Sequence, residues 1–414
     1  DQDWAKAGYV LAAEQFELAK RTALPALTPK ADAPALKLKK TGGLATISND
    51  VVSMTFNTTT SQLVDWKYND QPVIAYGKGP VSDNFRWIEN EAPYTSKPYN
   101  TLEWRYRVAD SNNQNAVPTI KTTDGGRTYT VTATRQGLVP NTLTYTIHAD
   151  GNVVLNVSLD PTQAQNKGQL RRLGISMGFD NRFALMDYTA RGPRENYSDR
   201  CEGSFFGHYV QRVDSNLTHY ARTQTCGNRM GLRDLRLTDA EGNGVHIATE
   251  GQVEFSVLPY DDHDLINVEH DWELAPSKFN TAHFDFFQQG VGSGSCGPAL
   301  TLDKYKVPTD KVVSYTLRFS GLGKLYTGIS NPFVQQPVLR VNSAPGAETA
   351  TLSGALSAYR SAAVLDLGGA RLFDLPLSAA HTVEFSTAAL PKGTYLVQVV
   401  RNDGKQEAVK WIKR

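Results

Sequence analysis

Apolar and polar residues alternate along most of this 414-residue chain. The segments TYTVTATRQGLV (128–139), GNVVLNVSLD (151–160), VEFSVLPY (253–260), KVVSYTLRFSGL (311–322) and GTYLVQVV (393–400) carry Val, Tyr, Phe and Thr at period two. That spacing sends alternate side chains to opposite faces of a half-buried strand. Between such runs, TTDGG, HADGN, DAEGNG and RNDGK join Asp or Asn to Gly, which supplies the positive φ that tight hairpins require. The pattern predicts an antiparallel, all-β protein. One segment, DWAKAGYVLAAEQFELAKR (3–21), fits a helical period, yet its Val10, Ala12, Gln15 and Phe16 also fit an extended strand. It stays open between the two.

Two stretches break the alternation. ALPALTPKADAPALKLKK (23–40) mixes Pro, Ala and Lys without a period, and GISNPFVQQPVLRVNSAPGAE (328–348) is rich in Pro, Asn and Ser. Both read as linkers. Boundaries near 40 and 325 follow, leaving 41–325 as one large β-sandwich, a size that single β domains do reach. Residues 330–414 form a separate small β unit.

Composition excludes several classes. Apolar content of 40% and charged content of 21% suit a globular core. The 43 basic residues balance 42 acidic ones, and the longest basic run is Lys37 to Lys40, so neither nucleic acid nor an anionic membrane is an expected partner. No window approaches the roughly eighteen consecutive apolar residues of a membrane-spanning helix. The start lacks the basic, apolar and small-residue run of a signal peptide and reads as a chain cut from something longer. Cys201, Cys226 and Cys296 are too few for a disulfide framework and too widely spaced for a zinc knuckle. One bridge, best placed between Cys201 and Cys226, is compatible with the count.

The densest cluster of chemical groups is GPRENYSDR (192–200). Hydrolysing a glycosidic bond needs two carboxyl groups roughly 5 to 10 Å apart, and Glu195 and Asp199 are the obvious local pair. Arg194 and Arg200 beside them favour ionised, salt-bridged carboxylates over a proton-donating acid. The segment therefore reads as a structural corner built from Glu195, Asn196, Tyr197, Asp199 and Arg200. YDDHDLINVEHDWEL (260–274) is rich in Asp, His and Glu but matches no metal-ligand spacing, so a solvated loop is expected there. QGVGSGSCGP (289–298) lacks the lysine of a phosphate loop and reads as a tight loop near a neutral ligand. No G-x-S-x-G elbow is present, and nothing equips Cys296 as a nucleophile. Trp66, Phe85, Trp87, Trp104, Tyr197, Phe205, Phe206, Tyr209 and Trp272 suit sugar faces as well as a core, and most are expected in the core.

RRLGISMGFDNRFALMDYTARGPRENYSDR (171–200), HYARTQTCGNRMGLRDLRLTD (219–239), FSVLPYDDHDLINVEHDWEL (255–274) and FDFFQQGVGSGSCGP (284–298) resemble, in order and spacing, the C-terminal region of family two glycoside hydrolases of the β-galactosidase type. The GPxENYxDR element is the most specific. Upstream, AKAGYVLAAEQFELA is similar to the last strands of the immunoglobulin-like domain that precedes this region, and SDNFRWIENEAP to the family's NFWRAPTDND loop. The resemblance implies an all-β fold: a large antiparallel supersandwich of the galactose mutarotase kind at 41–325, after an immunoglobulin-like remnant at 1–30 with a linker to 40.

In that family the catalytic glutamates lie on an upstream (β/α)₈ barrel. The resemblance therefore implies no catalytic residue and no cofactor in this chain, any magnesium or sodium belonging to the barrel. Its partners would be that barrel and a β-galactoside or other sugar. The implied contribution to the rim of the sugar site comes from Phe85, Arg86, Glu89, Asn90 and Glu91, and from Ser295 and Cys296. Two segments depart from the family pattern: SCGP stands where some members carry a sugar-facing tryptophan, and TQTCGNR stands for PQENGNR. Residues 383–414 resemble the C-terminal sorting domain of the type nine secretion system through Leu390, Gly393, Tyr395, Lys410, Lys413 and Arg414, which implies a secreted, periplasmic or surface location. A stand-alone sugar-binding sandwich is the alternative reading.

Overall fold

In the computed structural model, residues 3–88, 108–292, 301–325 and 339–413 are described, apart from positions 19, 20, 22, 26, 28, 29, 31, 110, 166, 168, 169, 266, 344, 345, 355, 357, 358, 378–381, 403 and 405. The chain divides into two compact units, 1–329 and 330–414. As the alternation predicts, both are antiparallel β structures.

Three sheets build the larger unit. The first is a meander of β1 (Lys37–Thr41), β2 (Leu44–Ser48), β3 (Val52–Asn57), β4 (Leu63–Tyr68) and β5 (Gln71–Pro72). A smaller sheet has the order β16 (Glu254–Leu258), β17 (Phe279–Gln288), β11 (Arg172–Asp180), β6 (Val81–Asp83). The largest has nine strands in the order β13 (Phe205–Arg212), β12 (Leu185–Gly192), β14 (Asp234–Thr238), β15 (Gly244–Glu250), β18 (Val313–Leu322), β10 (Val153–Leu159), β9 (Asn141–His148), β8 (Thr128–Arg135), β7 (Thr119–Thr123).

One apolar cluster lies between these sheets. Edge-to-face ring pairs cross the layers: Trp66 meets Phe319 at 5.0 Å, Phe56 meets Tyr145 at 5.2 Å, and Phe255 meets Tyr188 at 5.1 Å. Each combines large apolar burial with favourable quadrupole geometry. The aromatic expectation therefore holds for Trp66, Phe85 and Tyr197, which are buried, while Trp272 is exposed and Trp104 lies outside the described residues.

The smaller sheet is buried on both faces. Leu173, Ile175 and Phe179 of β11 and Ala282 and Phe284 of β17 point into the apolar cluster. The alternate positions are polar: Arg172 on β11, Thr281, His283 and Asp285 on β17, and Glu254 and Ser256 on β16 are equally buried, and Ser176 on β11 is half-buried. At Gly174, opposite Asp285, an added Cβ would overlap the Asp285 carboxyl, so a glycine there makes room for an acid on the neighbouring strand.

Three expectations need correction. Residues 9–18 carry neither helix nor strand, and Tyr9, Val10, Leu11, Phe16 and Leu18 are exposed. The stretch expected to be a linker to residue 40 is a strap across the nine-stranded sheet that ends in β1. The Gln15 side-chain amide bonds both main-chain groups of Phe206 at 2.6 Å, and Arg21 donates to the carbonyls of Arg233 and Thr249. The Leu24 amide donates to Glu250 at 2.8 Å, Arg318 donates to the Pro25 carbonyl, and the Lys30 amide donates to Asp150 at 2.9 Å. Such bonds need no hydrophobic period, and β1 is exposed at every position, so neither leaves a mark on the pattern. Finally, Cys201 and Cys226 are free thiols, not a bridge.

The smaller unit has its own core. A sheet of β19 (Arg340–Asn342), β20 (Thr349–Ser353) and β23 (Thr382–Ser386) accompanies another of β22 (Arg371–Leu375), β21 (Tyr359–Leu365), β24 (Gly393–Arg401) and β25 (Gln406–Lys413). Leu352, Val364, Val397 and Trp411 are buried together, with Leu390 packed against them. Among the described residues no helix is long and apolar enough to cross a membrane. Trp66 sits at the centre of the larger core with no exposed surface. Trp66→Ala is expected to cost roughly 3–5 kcal/mol in urea unfolding followed by far-ultraviolet circular dichroism.

Candidate functional site

Directly after β12 the GPRENYSDR segment turns back on itself, with the Tyr197 and Arg200 main chains bonded to each other. Its carboxylates are saturated with donors. Glu195 receives Arg200 at 2.6 Å, the Gly227 amide at 2.7 Å and the Tyr220 hydroxyl. Asp199 receives the amides of Val291 at 3.0 Å and Gly292 at 2.8 Å. The fully buried Asn196 accepts from the Met230 amide at 2.9 Å and donates to the Arg194 carbonyl at 3.0 Å. Glu195 and Asp199 do line one cavity of about 920 Å³. Every oxygen of both acids is nevertheless an acceptor of at least one of these bonds, which is the chemistry of a tied corner.

The corner also gathers segments far apart in sequence. Phe85 and Arg86 are buried, at 0% and 1% exposure, so neither side chain faces solvent. Phe85 stacks on His263 at 4.5 Å. Arg86 lies 4.8 Å from the Tyr197 ring centroid and donates to the Gln289 carbonyl. The next glycine is enforced by the same contact: a Cβ at Gly290 would overlap the Asp199 carboxylate. The structure thus joins the stretches 84–88, 195–200 and 289–292 at one junction. The remaining rim candidates, Glu89, Asn90, Glu91, Ser295 and Cys296, lie outside the described residues.

From the corner a buried polar network runs across the smaller sheet. Asn228 donates to the Asn196 carbonyl at 2.9 Å and to Glu254 at 2.8 Å, and Gln288 links Asn228 to Asp285 at 3.0 and 2.9 Å. Arg172 then pairs with Asp285 at 3.2 Å and Asp262 at 2.8 Å and donates to the Phe85 carbonyl at 3.0 Å. Asp83 takes His263 at 3.0 Å and Ser176 at 2.9 Å.

The expected solvated loop at 260–274 is therefore corrected in part. Asp262 opens a single helical turn, Asp262–Leu265, and is buried because Arg172 requires a counter-charge. His270 and Trp272 do stack on the surface. Among the described residues no group of His, Cys, Asp and Glu is placed to hold a metal ion. Arg172, Asp83, Glu254, His283 and Asp285 escape a search for loop motifs. Their signal is polar residues at every second position of strands that otherwise read as core.

Burial sets the protonation of this layer. It pushes Glu254 up to about 8, with Asp285 adding to the shift and Asn228 opposing it. It pushes Asp285 up to about 7 against the pull of Arg172, whose charge is shared with Asp262. Burial also takes His283 down to about 4, and Arg172 reinforces that. Asp83 resists burial and is held low by the charge and hydrogen bond of His263, whose own pKa is raised by the same pair.

Two predictions follow from these contacts. Gly290→Ala should lower stability by roughly 1–3 kcal/mol through overpacking, whereas Gly203→Ala, which meets open space, should leave thermal unfolding unchanged. Glu254 titrates near 8 when folded and near about 4.3 when unfolded. Between these values the folded state holds a proton that the unfolded state does not, so its stabilisation is lost as pH rises through about 8. Unfolding free energy measured from about pH 5 to 8 should therefore fall less steeply in Glu254→Gln than in the parent.

Comparison with known proteins places this architecture. The family model described as β-galactosidase small chain matches residues 48–319. A β-galactosidase of Priestia megaterium is 27% identical over 320 residues, covering 77% of this chain and 30% of that protein. A β-galactosidase of Vibrio cholerae is 27% identical over 305 residues, covering 70% and 28%. The chain thus spans less than a third of the length of these relatives. Among solved structures, galactose 1-epimerase of Lactobacillus acidophilus aligns over 71% of this chain and 97% of its own at 8% identity, with a TM-score of 0.39. With most of its larger unit matched by that family model, the chain belongs to the β-galactosidase small chain family.

Proposed function

We propose that the chain is the non-catalytic C-terminal part of a β-galactosidase-type glycoside hydrolase, packing on a catalytic (β/α)₈ barrel carried by other polypeptide and shaping the rim of its sugar site. The observation that carries this reading is the junction of Arg86, Tyr197, Asp199 and Gly290, which fixes two separate loop stems to one rigid corner. A rim contributes to catalysis only if its stems hold still, because small displacements at a reacting centre are costly. The reading also agrees with Glu195 and Asp199 being tied as acceptors, since a general acid must have a proton to give.

The isolated chain should show no turnover of a chromogenic β-galactoside, and activity should appear when the remainder of the enzyme is added. Robust turnover by the chain alone would overturn the proposal. Within the assembled enzyme, Asp199→Ala should lower kcat/KM by roughly 10- to 100-fold.

For residues 330–414 we propose a sorting or surface-anchoring role, with export as its outcome. In support, Leu390 and Tyr395 pack into the unit's core, and the Lys413 ammonium donates to the Leu390 carbonyl at 2.7 Å, pinning the last strand. Fractionation of cells producing the protein with and without 330–414 tests it: retention only after removal supports export, and an unchanged distribution refutes it.

A further inference from the structure

Glu254 on β16 and Asp285 on β17 stand directly opposite one another in the antiparallel register, on the polar face of the smaller sheet, at 1% and 0% exposure. Side chains so placed have Cβ atoms roughly 4.5–5.5 Å apart, and like charges there repel. Asp285 leans over Gly174 of β11, its carboxyl in the space a Cβ would fill, and meets Arg172 at 3.2 Å. Glu254 has no such partner among the described residues: its Oε2 accepts from Asn228 at 2.8 Å, and its Oε1 has no hydrogen-bond partner.

The charges around the pair do not balance. Arg172 serves Asp262 as well as Asp285, and His263 serves Asp83. Arg86, the remaining cation facing Glu254, lies against the Tyr197 ring. Three cations thus meet four buried acids, Asp83, Asp262, Asp285 and Glu254. His283, pushed down to about 4, carries no charge near neutral pH, and neither do Tyr315 and Cys201, which burial holds protonated. A surplus carboxylate in the interior is costly, so one acid keeps a proton. Glu254, alone of the four in touching no cation, is that acid.

Both members of the pair are tied to the loop stem at 289–292. β17 runs from Asp285 to Gln288 and into Gln289, whose carbonyl accepts from Arg86, and then reaches the Val291 and Gly292 amides that Asp199 holds. Asn228 joins Glu254 to the Asn196 carbonyl of the corner, and Gln288 joins Asn228 to Asp285. Two carboxylates forced apart here would pull on each of these bonds.

We propose that the Glu254–Asp285 pair is a proton-closed latch: the proton on Glu254 keeps β16, β17 and the 289–292 stem seated on the corner, and opening of the stem releases that proton. The latch lies wholly within this chain, so its failure would leave the proposed division of labour untouched. An opened Glu254 ionises near its ordinary value of about 4.3, whereas the closed one titrates near about 8. Between these values each opening loses one proton, so the equilibrium constant for closing falls about tenfold per pH unit, and the dependence ends above about 8.

Hydrogen exchange of the full chain, read at the Val291 and Gly292 amides and corrected for the pH dependence of free-peptide exchange, tests the latch from about pH 6 to about pH 9. Up to about pH 8 the parent should lose protection more steeply than Glu254→Gln, by about tenfold per pH unit, and above it the two should run parallel. The exposed edge strand β7 should show no such difference. Equal slopes in parent and variant at 291–292 overturn the proposal, and so does the same difference at β7, which would assign it to unfolding of the whole unit. Should Glu254→Gln fail to fold, infrared spectra of the parent decide: the C=O stretch of a neutral carboxyl should be present at about pH 7 and fade as pH rises through about 8. Its absence at neutral pH overturns the latch.

Discussion

A guanidinium with no exposed surface organises the larger unit. Arg172 sits on β11 with Asp262 on one side and Asp285 on the other, and its charge could not remain buried without them. Burial alone would lower its pKa, but Asp285, Asp262 and Asp83 together raise it, so it stays cationic. Each partner is thereby constrained. The 262–265 turn must fold back over the sheet, Gly174 must lack a side chain, and the chain near Phe85 must offer its carbonyl. Removing one partner would strand a charge in the interior, which is why this layer behaves as a unit.

That unit is continuous with the corner. Asn228 bridges the Asn196 carbonyl and Glu254, so the tie that holds Asp199 against Val291 and Gly292 is braced by the sheet beneath it. The polar layer and the apolar cluster share the strands β11 and β17, one on each face. Rigidity at the loop stems is in this way inherited from the packing of the whole sandwich.

The strands and most hairpins were legible because one face of each is apolar and turns demand Asp, Asn or Gly. The corner was visible as a cluster, and the pairing of Glu195 with Arg200 follows the arginine beside it in the sequence, whereas Asp199 is held by main-chain amides instead. Its partners were not: Val291 lies 92 residues from Asp199, and only the fold brings them together. Arg172 was hidden for a different reason. It follows Arg171 in RRLG, and nothing local says which of two adjacent arginines turns inward. The strap at 15–36 was misread because hydrogen bonds to single main-chain groups have no period, and Asp262 because an acid in a run of acids looks solvated until its counter-charge is known.

The way Asp199 grips the stem at 291–292 decides which of its residues can be exchanged. It holds main-chain amides, not side chains, so residue 291 can be exchanged without loosening the grip, provided that position 290 remains glycine and that position 292, at φ 90°, keeps the glycine its left-handed backbone favours. The side chain at 291 is thereby uncoupled from the footing of the stem, which rests on main-chain bonds alone.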